Sequence, residues 1–231
     1  LRRLRRVMQP LVLVIGNQNY SSWSLRPWML LRHLGLEFEE HTLTLDSPEF
    51  RRDIANLSPT LKVPALHHGA TVIWDSLAIC EYVCELAGRG LPRDTAARAV
   101  ARAVAAEMHA GFSALREQWP MNARAERRRV ATTPELSRDV ARIESIWQDC
   151  RQRFGAGGPW LFGDYSLADA MYAPVILRFR TYGDGFAPAT RDYMATALAD
   201  PHLQAWIKAA RAEPWIIAAA ELGAAQATLP G

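Results

Sequence analysis

Cysteine, lysine and long apolar runs are all scarce in this chain, and each scarcity excludes something. The 231 residues contain three cysteines, Cys80, Cys84 and Cys150. Cys80 and Cys84 are four apart, not in a C-x-x-C arrangement, so neither a redox pair nor a zinc site is indicated; buried, inert thiols are the expectation. With an odd count and no signal-peptide pattern, a reducing, cytoplasmic setting is expected. No uninterrupted apolar run approaches the roughly 20 residues that a membrane-spanning helix needs, so no membrane partner is expected. Lys62 and Lys208 are the only lysines, against 25 arginines, a bias that with the abundant alanine suggests a GC-rich bacterial gene. Net charge is +3, but setting aside Arg2, Arg3, Arg5 and Arg6 takes it to −1 for the rest of the chain. That balance gives no nucleic-acid-binding surface. Gly155 to Pro159 is glycine-rich but is followed by no Gly-Lys-Ser/Thr, so it reads as a connector and not as a phosphate loop.

What is present is concentrated between Leu61 and Tyr82, LKVPALHHGATVIWDSLAICEY. A Val-Pro step enters a short apolar segment, a turn bearing Gly69 follows, a second apolar segment ends at Trp74, and Asp75-Ser76 opens an apolar-periodic helix: strand, turn, strand, capped helix. Pro64 belongs at a strand entrance because it cannot donate to a ladder. A cis Val63-Pro64 bond would turn the Val63 backbone outward, free to pair with an extended peptide. Asp75 and Ser76 place a carboxylate and a hydroxyl at a helix N-terminus, where N–H groups and the helix dipole favour an anion. Together they are parts for holding a small peptide with a free amine and carboxylate.

The rest of the chain supplies a frame for these parts. Leu11 to Ile15 reads as a central strand buried on both faces. After Gly16-Asn17-Gln18-Asn19, a turn-rich loop, the residues around Tyr20-Ser21-Ser22-Trp23 lead into a helix that starts near Ser22 to Ser24, since Pro27 fits only in the first turn. A strand over Phe38 to Leu45 and a short helix from Pro48 complete a β-α-β-α-β-β-α order, which with a right-handed crossover matches a thioredoxin-like domain. We assign residues 1–8 to an N-terminal extension, expected to be disordered, residues 9–88 to this domain and residues 95–231 to an all-helical bundle domain. In the second, a helix over Thr95 to Arg116 carries Val100, Val104, Met108 and Leu115 on one face. Another runs from Leu136 to Phe154, a third is capped at Ser166-Leu-Ala-Asp169, and further helices are expected from Asp200-Pro201 and after Pro214.

The Val63, Pro64, Asp75 and Ser76 constellation resembles the glutathione transferase superfamily. There the residue before the cis-proline pairs with the cysteinyl part of glutathione, and an acid-Ser pair at the next helix start holds its γ-glutamyl end. Ser21-Ser22-Trp23-Ser24-Leu25-Arg26 is similar to the Ser-Ser-Cys-x-x-Arg motif of zeta-like and related bacterial transferases. Trp23 stands in place of the Cys, a departure that bears on the isomerase activity and not on the superfamily. The resemblance implies glutathione as co-substrate, and an enzyme that conjugates or isomerises small electrophiles, as a homodimer. A free thiol titrates at about 8.5, and lowering it by about two units, roughly 2.7 kcal/mol, makes the thiolate dominant at neutral pH. Ser21 and Ser22 are the candidates for that activation, with Ser21 matching the first family serine and Tyr20 as the alternative. Lys62 is the candidate for the glycyl carboxylate. Trp23, Met108 and Phe112 are candidates for the acceptor pocket, and Arg178 for an acceptor carboxylate, its neighbour Arg180 being on another face. Other classes left open are a non-catalytic binding or assembly module and a glutathione-dependent peroxidase or reductase.

Overall fold

The computed structural model describes residues 9–223; the expected extension, residues 1–8, lies outside them. The first half alternates β1 (Leu11–Gly16), α1 (Ser22–His33), β2 (Glu39–Leu43), α2 (Pro48–Ile54), β3 (Ala65–His68), β4 (Thr71–Trp74) and α3 (Ser76–Ala87). The sheet order is β2-β1-β3-β4, with β1 parallel to β2 and antiparallel to β3, and β3 antiparallel to β4. This is the expected thioredoxin-like arrangement. Side chains alternate across β1: Leu11, Leu13 and Ile15 join the large core shared with α1 and α3, whereas Val14 joins a small one with Leu43, Ile54 and Ala65. Successive strand residues point to opposite faces, so one apolar run serves both layers.

Beyond Gly88, a left-handed cap at φ 65° of the kind glycine tolerates, the ordered elements are α4 (Thr95–Ala110), α5 (Ser113–Gln118), α6 (Pro134–Phe154), α7 (Leu167–Tyr182), α8 (Pro188–Ala199) and α9 (Pro201–Ala212). The helix expected over Thr95 to Arg116 is broken. Gly111 ends α4 by donating its N–H to Glu107 O, and Phe112 takes φ 62°, a left-handed conformation that stops propagation. The segment after Pro214 also departs from expectation. Among the described residues it forms a 3₁₀ turn at Ala218–Ala220 and is otherwise irregular, tied to the rest of the molecule through Glu221 and through Glu213 just ahead of Pro214. The two halves share the large core: α7, almost wholly buried, packs on α1 and α4.

Candidate functional site

The Val63-Pro64 bond is cis, immediately before β3. Beside it, a cavity of about 340 Å³ opens between the halves of the molecule. Thr60, Lys62, Val63 and Pro64 form one wall, and Trp74, Asp75 and Ser76 another. Trp23 of α1 and His109 of α4 complete it. All the residues assigned to peptide binding thus meet in one place.

Asp75 is the N-cap of α3: its Oδ1 accepts from Leu77 N at 2.9 Å and Ala78 N at 3.4 Å. Its backbone has φ 74° and ψ 131°, a conformation that strains a residue with a side chain by about 1 to 3 kcal/mol. Such outliers cluster at active sites and ligand clamps. The second oxygen, Oδ2, is 3.2 Å from His109 Nε2. Burial lowers the His109 pKa below its ordinary value, Asp75 opposes that shift, and Arg26 and Arg116 reinforce it. Periodicity could have found this residue. His109 continues the four-residue row of buried Ala101 and Ala105, the row of α4 that faces inward.

Ser76 is buried and its Oγ accepts from Arg26 Nη1 at 3.3 Å. Arg26 is wholly buried, and its Nε and Nη2 have no partner among the described residues. Burial, with Arg116 nearby, pulls its pKa down to about 9. Its guanidinium carbon is 4.3 Å from the centre of the Trp23 ring, and that of Arg116 is 4.8 Å away. With the His109 ring centre 5.5 Å away in an edge-on arrangement, Trp23 is held as a partly exposed wall of the cavity by two cations and an imidazole.

Ser21 and Ser22 occupy the loop end and first turn leading to Trp23, and both are buried; neither is among the residues lining the cavity, which the chain reaches at Trp23. The Ser21 hydroxyl donates to Ser24 Oγ at 2.7 Å, and Ser24 Oγ also accepts from Gly16 N at 3.1 Å. Tyr20 is occupied elsewhere. Its hydroxyl donates to Glu221 Oε1 at 2.7 Å and accepts from Arg124 Nη2 at 2.7 Å. Burial and the bond to Glu221 raise its pKa, and its one O–H is already committed to that carboxylate.

Of the acceptor-side candidates, Trp23 lines the cavity, whereas Met108, Phe112 and Arg178 do not. Met108 is buried in the helical core and Phe112 forms the left-handed cap of α5; neither lines the cavity. Arg178 is buried and donates to the carbonyls of Arg116 and Trp119, and Arg180 to that of Ala123. Both arginines satisfy backbone carbonyls of α5 and of the loop after it, and neither lines the cavity. The three cysteines are buried too. Burial pushes the Cys80 thiol well up, and holds Cys84 and Cys150 up at about 12.

Two family models match this architecture, the glutathione S-transferase N-terminal domain over residues 20–86 and the C-terminal domain over residues 98–209. The chain belongs to the glutathione S-transferase family. Among solved structures, a glutathione transferase homolog from Burkholderia gl BGR1, crystallised with bound glutathione, is 25% identical. It covers 88% of this chain and 99% of its own, with a TM-score of 0.67. The Tau class glutathione S-transferase from mango, Mangifera indica, is 18% identical over 87% of this chain and 96% of its own, with a TM-score of 0.66. A glutathione transferase family member from Pseudomonas fluorescens pf-5, with two glutathione molecules bound, is 19% identical, covers 88% and 95%, and has a TM-score of 0.59. At these lower identities the likeness is one of fold. No curated protein sequence matches the chain. Within the described residues no helix is long and apolar enough to cross a membrane.

Proposed function

We propose that this glutathione S-transferase family member binds glutathione in the Val63–Asp75–His109 cavity and activates its thiol for transfer to a small electrophile. The observation that carries the reading is the convergence of the cis Val63-Pro64 step and the Asp75-Ser76 helix start on one cavity. In this reading Val63 offers its backbone to the cysteinyl unit. Ser76 and the first N–H groups of α3 receive the γ-glutamyl carboxylate, and Asp75 receives the ammonium. Lys62, exposed on the opposite wall, meets the glycyl carboxylate.

The thiol then accepts a hydrogen bond from Ser21 or Ser22, which favours the thiolate over the thiol. For Ser21 this requires its O–H to turn from Ser24 to the sulfur. The thiolate attacks the electrophilic carbon, its lone pair becoming the new S–C bond while the displaced pair leaves with the leaving group or is protonated by solvent. Buried cysteines with raised pKa values supply no thiolate of the enzyme's own, so transfer through a mixed disulfide with the protein is not expected. Exposed Leu61 and Trp74 beside the cavity support a second copy of the chain packing there.

The test is the thiolate absorbance of bound glutathione against pH in wild type, Ser21→Ala and Ser22→Ala, together with turnover of a panel of electrophiles. One of the two variants should raise the thiol pKa. If neither does, serine activation is wrong, and if no electrophile turns over, binding without catalysis is the correct reading.

A further inference from the structure

The loop that delivers Ser21 is gripped by a segment almost two hundred residues away. Asn17 O accepts from both Tyr20 N and Ser21 N, at 3.2 and 2.8 Å, which folds the backbone into a tight turn and leaves the groups on its outer side to be satisfied elsewhere. The Glu213 carboxylate does so with both oxygens, Oε1 accepting from Gln18 N at 2.7 Å and Oε2 from Asn19 N at 3.0 Å. The Gln18 carbonyl accepts from Trp206 Nε1 at 2.7 Å. Asn19 O and Oδ1 accept from Ala123 N and Arg124 N at 2.9 and 2.8 Å.

The next residue, Tyr20, is tied to the same segment through Glu221. That carboxylate also accepts from Asn122 at 2.8 Å, Arg124 at 3.0 Å and Arg128. Against the upward pull of burial, these donors and Tyr20 hold it down at about 2. Arg124 closes the ring by donating to the Glu213 and Trp215 carbonyls at 3.0 and 3.2 Å. Two carboxylates on a segment without regular helix therefore fix three consecutive residues whose direct continuation is Ser21.

We propose that Glu213 and Glu221 are positioning residues for thiol activation: they hold the Asn17–Tyr20 turn so that the Ser21–Ser22 hydroxyls face the sulfur, without touching the ligand themselves. This rests on the serine-activated reading above. The two sites for glutathione are separable, because the peptide frame is assigned to Val63, Asp75 and Ser76, whereas the hydrogen bonds of Glu213 and Glu221 among the described residues go to residues 18–20 and 122–128. Loosening the turn should therefore spare binding and impair activation. A displacement of about 1 Å at a catalytic group can reduce rate about a hundredfold, so a modest relaxation of the loop is enough to be measured.

The experiment measures the thiol pKa of bound glutathione and, separately, the affinity for S-methylglutathione, which has no thiol to activate. It compares wild type, Glu213→Ala, Glu213→Gln and Tyr20→Phe. Glu213→Ala should raise the bound-thiol pKa by about one unit, a tenfold loss of thiolate, with kcat falling in step and S-methylglutathione affinity within about twofold of wild type. Glu213→Gln keeps one acceptor for two N–H groups and should fall between. Tyr20→Phe cuts the Glu221 tie while keeping the ring, and should shift the thiol in the same direction. It also stands in should Glu213→Ala not fold. An unchanged thiol pKa in folded Glu213→Ala, or in Tyr20→Phe where the former does not fold, would overturn the proposal even if melting temperature dropped, because that marks the segment as a brace only. Wild type failing to lower the thiol pKa at all would instead overturn the serine-activated reading beneath it.

Discussion

Asp75 Oδ2 and His109 Nε2, from the two halves of the chain, are 3.2 Å apart across the cavity wall. The same carboxylate caps α3 through its other oxygen, so one residue with a strained backbone serves a helix, a domain contact and the proposed ligand ammonium. These roles can be separated by substitution. Asp75→Ala and Asp75→Gly both remove the carboxylate, and losing a charged hydrogen bond costs about 1.5 to 3 kcal/mol, or roughly ten- to hundredfold in S-methylglutathione affinity. Only glycine relieves φ 74°, so Asp75→Gly should be more stable than Asp75→Ala by about 1 to 3 kcal/mol. Calorimetric titration and denaturant unfolding check both; equal stabilities would mean the conformation carries no strain.

Arg26 gives a prediction of opposite character. A wholly buried guanidinium with two nitrogens unpartnered among the described residues is weak support for stability, because desolvation offsets what its contacts contribute. Arg26→Met keeps most of the volume and should leave unfolding free energy within about 1 kcal/mol of wild type. It should nevertheless weaken S-methylglutathione binding, since Ser76 loses the donor that occupies one lone pair and leaves its own O–H to face the cavity. A large stability loss with unchanged affinity would show that Arg26 serves packing alone.

The contrast between these residues and Met108, Phe112 and Arg178 shows what the sequence made legible. Val63, Pro64, Asp75 and Ser76 could be placed together from a single stretch because local geometry sets each position: a bond isomer, a strand entrance, a helix start. Met108 could not, because four-residue spacing shows that a helix position faces inward but not whether core or cavity waits there. His109 lies on the neighbouring row of Ala101 and Ala105, where the same spacing marks an inward position and the cavity is what it meets. Arg178 illustrates a different limit, since the loop carbonyls that hold it belong to residues some sixty positions away. The segment after Pro214, where a further helix is expected, forms no α-helix among the described residues. Its conformation is set instead by Glu213 and Glu221 reaching groups near positions 18–20 and 122–128, and no local pattern encodes those distances.

Glu221 should leave its mark on the pH dependence of stability. Its folded-state pKa is depressed from 4.5 to about 2, so the stabilisation it supplies is fully present above the unfolded value and is lost as pH falls through the folded one. Glu221→Gln lacks this term. The stability gap between wild type and variant should therefore be constant at neutral pH, narrow below about pH 4.5 and close towards about pH 2. Urea unfolding at a series of pH values measures it. A gap that persists unchanged into acid would mean the carboxylate is not held by its donors.

Asp169 sets the firmest expectation for the helical domain. It is buried, and all four of its donors are within 3.0 Å: Leu161 N and Tyr193 OH on one oxygen, Ser166 N and Ser166 Oγ on the other. Ser166→Ala removes one donor while leaving the carboxylate three others, and should cost about 1 kcal/mol, as the loss of an ordinary cap does. Asp169→Ala leaves the Leu161 and Ser166 N–H groups and the Tyr193 hydroxyl without an acceptor. Each unsatisfied buried donor costs about 1 to 3 kcal/mol, so the loss should be about 3 kcal/mol or more. Asp169→Asn keeps the shape but turns an N–H₂ towards two of the donors, and should resemble alanine more than wild type. Adding Tyr193→Phe removes one stranded donor, so the Asp169→Ala/Tyr193→Phe double variant should lose less than the sum of the single losses. Strict additivity would show that the carboxylate and the phenol do not act as a unit, and that α7 and α8 are held together by packing alone.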